Sequence, residues 1–186
     1  MATRPRDNQR SRVYEAERNT FDWGQTVLDE LLQATVDDLL DRHSVRSRFG
    51  SRRIDVERGR GGGLAWGKSR ITLGVRARNE WMICHEIAHC LTPVSCASHG
   101  PEYVGVYLFL VKTIIGAEAA ARLRAALRET GAKWNNKAVP KPSTGTRVPP
   151  RQYESLAVAK ARCNHAVVSL RDRLDAALRE TTRESE

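Results

Sequence analysis

Asn79-Glu80-Trp81-Met82-Ile83-Cys84-His85-Glu86-Ile87-Ala88-His89-Cys90-Leu91-Thr92-Pro93 is the stretch whose reading decides the fold. Asn79 is a good N-cap, Glu80 complements the positive end of a helix dipole, and Pro93 stops a helix. Ile83, Ile87 and Leu91 recur every four residues, and Cys84 and Ala88 widen the same apolar face. The spacing predicts one helix. Residues four apart on a helix share a face, so His85 and His89 can offer their imidazole nitrogens to one metal ion. Zinc suits such ligands, and a catalytic zinc keeps one position open for water. Glu86, beside the first histidine of this H-E-x-x-H pattern, can take that water's proton and pass it to a leaving group. Three fixed positions in five also arise by chance. The bulky apolar residues on both sides and a further histidine, His99, favour the metal reading.

Downstream, Thr92–Gly100 is rich in turn residues and must bring His99 back to the metal. Cys90 and Cys96 are weaker ligand candidates, because the histidines already supply the set. Pro101 opens a second helix with a buried stripe of Val104, Tyr107, Leu108, Val111 and Ile115. After Gly116, Ala117–Glu129 reads as a third helix closed by Gly131. Tyr103 and Tyr107, just past His99, are candidates to donate a hydrogen bond to an oxyanion, with core packing the better reading for Tyr107.

Upstream, Ile54–Glu57 alternates as a strand, and Gly59–Gly63 reads as a hairpin turn, flexible enough to gate a site. Leu64–Gly67 and Arg70–Gly74 form the next strand or pair, the last running straight into the metal helix. From Thr26 to about His43 the apolar spacing is helical, as one helix or two. His43 is isolated and reads as a surface or cap residue. Residues 8–18 read as a short polar helix packed through Val13, Tyr14 and Ala16, with Phe21 and Trp23 pinning it to the body.

The chain of 186 residues is 40% apolar, enough for one ordinary domain with a core and an appendage. Residues 1–20 are polar and Arg-rich, without the apolar stretch of a secretory signal. The most apolar run, Tyr103–Ala117, is short for a membrane span and contains Lys112. A soluble cytoplasmic protein with reduced cysteines is expected. The net charge of +9 is concentrated at 42–78, where eleven Arg and Lys stand against Asp55 and Glu57. Such a block suits nucleic acid or a DNA-bound protein, although Arg-rich composition also arises from GC-rich coding. Val139–Pro150 reads as a linker. Gln152 to about Thr181 reads as a long helix with a narrow seam of Leu156, Cys163, Val167, Leu170, Leu174 and Ala177, suited to a coiled-coil partner, to self-association or to folding back on the domain. The expected organisation is a domain over 1–135, a linker over 136–151 and a C-terminal helix over 152–186.

The helix, its loop and the strand before it resemble the zincin superfamily of metallopeptidases. Arg6–Tyr14, Asn79-Glu80-Trp81 leading into His85–His89, and His99-Gly100-Pro101-Glu102-Tyr103 more closely resemble an uncharacterised family of metallohydrolases from actinobacteria and their phages. The resemblance covers roughly residues 6–135. It implies a zinc site of His85, His89 and His99 with Glu86 as base. It also implies an α+β fold, a small zincin-like sheet packed on the metal helix, with the strand entering that helix at the sheet edge and free to pair with an extended peptide. The His99-Gly100 pair is similar to SprT-like proteases, which act on proteins crosslinked to DNA, but the spacing to His99 is shorter here. Thr92 stands where metzincins carry glycine. A likeness to ImmA/IrrE-like proteases would bring an acidic third ligand, for which Glu102 and Glu118 rank below His99. The expectation is therefore a zinc metallopeptidase. The alternative is a basic nucleic-acid-binding or adaptor module with a structural zinc and a C-terminal interaction helix.

Overall fold

The computed structural model describes residues 6–22 and 26–142, and the C-terminal helix expected at 152–186 lies outside them, as does Trp23. Among the described residues six α-helices accompany one three-stranded sheet, a mixed α+β arrangement. The helices are α1 (Arg10–Thr20), α2 (Leu32–Asp41), α3 (His43–Phe49), α4 (Glu80–Leu91), α5 (Pro101–Ile114) and α6 (Ala117–Glu129). The strands are β1 (Asp55–Arg58), β2 (Gly63–Trp66) and β3 (Arg70–Leu73).

The local signals around the H-E-x-x-H stretch act as their chemistry dictates. The Asn79 side chain accepts from Met82 N at 2.9 Å and caps α4. Ile83, Cys84, Ile87 and Ala88 are fully buried. Thr92 ends the helix, its N–H and hydroxyl both donating to Ala88 O, and Lys68 Nζ donates to His89 O at 3.2 Å in the last turn. α4 packs on α5, whose Tyr103, Val104, Val106, Tyr107, Leu110 and Val111 are buried in the same core.

The sheet departs from expectation in two ways. The strand that runs into α4 is β3, and it is central: β1 pairs with it in parallel and β2 antiparallel. Its Ile71 and Leu73 are fully buried, whereas Leu64 and Trp66 of β2 are half exposed, so burial assigns the middle of the sheet to β3 and the edge beside α4 to β2. The second departure is Gly59–Gly63, which is no hairpin turn. It crosses the end of β3, with Gly59 N donating to Leu73 O and Gly74 N to Gly62 O. Gly61 O lies so close to Gly74 that a Cβ there would overlap it, so a side chain would push the crossing off. The tight turn falls instead at Gly67, φ +66°, between β2 and β3.

The helical spacing from Thr26 resolves into a 3-10 turn at Asp29–Leu31, then α2, then α3. Helix starts late because Val27 N is bonded to Arg78 O and Leu28 is extended. Arg42 (ψ 131°) separates α2 from α3, which His43 opens rather than ends. At the other end, residues 136–140, expected in a linker, are in contact with the domain. Asn135 N donates to Pro101 O, Val139 packs against the core, and Arg48 Nη1 donates to Pro140 O at 2.8 Å. No helix among the described residues is long and apolar enough to cross a membrane.

Candidate metal centre

His85 and His89, one turn apart on α4, meet His99 from the loop that follows it. Their ligand nitrogens lie within 4.8 Å of one another. The Nε2 atoms of His85 and His89 are 3.2 Å apart. Two nitrogens on one tetrahedral ion, each roughly 2.0–2.1 Å from it, stand about 3.3 Å apart, so this pair already has the separation a shared ion needs. His99 Nε2 is buried and has no hydrogen-bond partner. An unpaired polar atom in such a place costs free energy unless something binds it. The donor set therefore fits a divalent ion; three imidazoles suit zinc but do not specify it.

Each buried histidine is held from behind by a carboxylate near the N-terminus. His85 Nδ1 lies 2.5 Å from Glu17 Oε1, and His99 Nδ1 lies 2.7 Å from Asp7 Oδ2. Such partners fix ring orientation and leave Nε2 for the metal. Gln9 completes the arrangement: its Nε2 donates to His99 O at 2.8 Å and to Lys133 O at 2.9 Å, tying the start of α1 to the histidine loop and to the segment that follows α6. Sequence reading treated this helix as polar packing. The signal was the spacing of Asp7, Arg10, Tyr14 and Glu17, three or four apart, which makes a second functional face beside the buried Val13 and Ala16.

Electrostatics separate the groups. For His85, desolvation disfavours the charged ring, but the charge and hydrogen bond of Glu17 outweigh it and its pKa is raised. For His99, desolvation wins over the Asp7 hydrogen bond and the pKa falls, which keeps the ring neutral and ready to bind. Glu86 is 3% exposed, and burial pushes its carboxyl up to about 7, against the pull of His85. Gly63 lies against it: a Cβ on Gly63 would overlap Glu86 Oε1. Because Gly74 N bonds to Gly62 O, alternation along the antiparallel pair turns the backbone groups of Gly63 and Ala65 to the outer edge of β2, which no other strand among the described residues pairs with.

The other expected residues sort plainly. Tyr103 is fully buried, its ring stacked on His89 with centroids 4.3 Å apart and its hydroxyl donating to His85 O at 3.3 Å. It supports the histidines and lines neither cavity beside them, which removes it from the oxyanion role expected of it. Tyr107 is core, as expected. Glu102 and Glu118 stand outside the histidine cluster, Glu102 near Asn135 and Glu118 paired with Arg122 at 3.6 Å. Cys84, Cys90 and Cys96 are free thiols, and neither Cys90 nor Cys96 joins the cluster. Of the eleven basic residues at 42–78, five pair with carboxylates: Arg42, Arg53, Arg58, Arg70 and Arg78, with Arg58 and Arg78 sharing Asp29. No protein-family model, curated protein or solved structure matches the chain.

Proposed function

We propose that the protein is a zinc-dependent hydrolase of zincin-like construction, acting on peptide bonds, with His85, His89 and His99 as metal ligands and Glu86 as general base. The observation that carries this is the unpartnered, buried Nε2 of His99 converging with two further imidazoles beside a carboxyl whose pKa lies near 7. A zinc ion supplies Lewis acidity there and makes water a nucleophile near neutral pH. Glu86 removes the water's proton and delivers it to the leaving nitrogen, a task that a pKa near the working pH suits. Glu17 and Asp7 keep the two buried rings aimed. The outer edge of β2 supports a peptide over other substrates, since an extended chain can pair with the Gly63 and Ala65 backbone.

Metal analysis of wild type beside His99→Ala tests the site: about one zinc per chain is expected in wild type, with much weaker retention in the variant. Glu86→Gln is expected to keep the metal and lose on the order of 100- to 10,000-fold in casein hydrolysis. A wild-type protein that takes up no zinc and gains no thermal stability from it would sink the proposal.

A further inference from the structure

We infer that Tyr14 is the hydroxyl that stabilises the oxyanion of the reacting carbonyl, with Arg10 as the charge behind it; the inference rests on the hydrolase reading above. Two cavities open on the metal centre. One of about 570 Å³ is walled by Phe21, Trp81 and Met82. The other, about 370 Å³, is polar, lined by Arg10, Lys68, His89, Ser98 and His99. Four residues line both: Tyr14, Gly63, His85 and Glu86. A substrate spanning the two cavities must pass those four. His85 is a metal ligand, Glu86 the base and Gly63 bare backbone, which leaves Tyr14 as the one side-chain O–H donor at the junction.

Its placement agrees. The Tyr14 ring lies 5.0 Å from that of His99 and 5.7 Å from that of His85, centroid to centroid. Arg10, one turn earlier on α1, places its guanidinium over the Tyr14 ring, 5.3 Å from the ring centre. A guanidinium only donates. Arg10 therefore offers no acceptor to the phenol, whose own proton is left to donate. The charge also polarises the O–H, so its hydrogen bond strengthens as negative charge develops on the carbonyl oxygen.

The step balances. The water oxygen bonds to the carbonyl carbon, its proton goes to Glu86, and the C=O π pair moves onto the carbonyl oxygen, which accepts a hydrogen bond from Tyr14 without proton transfer. When the C–N bond breaks, its pair stays on nitrogen, the proton returns from Glu86, and the carbonyl re-forms.

Tyr14→Phe keeps the ring and its packing and removes only the donor. Full-length wild type and variant are loaded with zinc, their metal content and melting temperature are measured, and calorimetry follows with a phosphonamidate dipeptide, a stable tetrahedral anion. Equal metal content and stability are expected, with phosphonamidate binding about 100-fold weaker in the variant and kcat on casein reduced alike at unchanged KM. Arg10→Gln, at an exposed position, is expected to lose about 10-fold in both. Phosphonamidate affinity unchanged in Tyr14→Phe would overturn the inference and leave the metal site standing. So would a zinc-loaded wild type that does not bind the phosphonamidate. A wild type without zinc would overturn the hydrolase reading itself, and metal content alone tells these failures apart.

Discussion

α4 and α1 both bring polar side chains to one point, yet they do so by different physics. α4 carries His85, Glu86 and His89 within a single turn, so helix geometry alone sets their relation. α1 and the residues before it carry Asp7, Tyr14 and Glu17, which reach partners 68 to 92 positions away, through Glu17 to His85 and Asp7 to His99. The first constellation exists as soon as the helix forms. The second exists only once α1 has docked on α6 and Gln9 has bonded to the carbonyls of His99 and Lys133. A site built from both is complete only in the folded domain.

The contrast can be broken or sharpened by experiment. The largest effect is expected on α4 itself. In the folded, metal-free protein the Glu86 carboxyl is raised from 4.5 to about 7, so it stabilises the fold while protonated and loses that contribution as pH rises through this range. Glu86→Gln is neutral at every pH. Without metal it should be more stable than wild type by about 3 kcal/mol at pH 8, with the gap closing toward pH 4.5. Urea unfolding at the two pH values measures it, and a gap that does not grow with pH would refute the buried-carboxyl account.

Next comes the strand that touches α4. Gly63→Ala puts a methyl where the Glu86 carboxylate lies, and a displaced base is expected to cost on the order of 100-fold in hydrolysis while zinc content stays at the wild-type level. Unchanged turnover would show that Glu86 has room to move.

The α1 side is expected to act on the metal. Glu17→Gln should weaken zinc binding by roughly 10- to 100-fold, and Asp7→Asn should fall at the lower end, because Asp7 is a quarter exposed and Glu17 is buried. Competition against a chelator of known affinity reads both. If neither variant moves zinc affinity, α1 is packing alone and the comparison collapses to α4. Smallest is Asn79→Ala, which removes the α4 cap and should cost about 1 kcal/mol without touching the metal.

Much of the fold was legible for the same reason that α4 was. The capping residue, the four-residue apolar spacing, Pro101 at a helix start and the breaks at Gly116 and Gly131 act within a turn or two, and the helices at 80–91, 101–114 and 117–129 follow. The errors lie where distant parts compete. Gly59–Gly63 has hairpin composition, but β1 pairs in parallel with β3 and the glycines bridge the strand end instead. Tyr103 sits next to His99 along the chain and suggested a substrate contact, whereas α5 turns it into the core against His89. Tyr14, 89 positions before Tyr103, takes the place at the cavity junction.

By itself the sequence determined the helix at 80–91 and its histidine pair with Glu86 between them, because short-range backbone geometry dictates them. The tertiary structure alone decided that β2 rather than β3 flanks the site, that Glu17 and Asp7 hold the rings, and that Glu86 is buried enough to titrate near neutrality. Those outcomes depend on burial and on contacts between residues far apart in the chain, which no local pattern encodes.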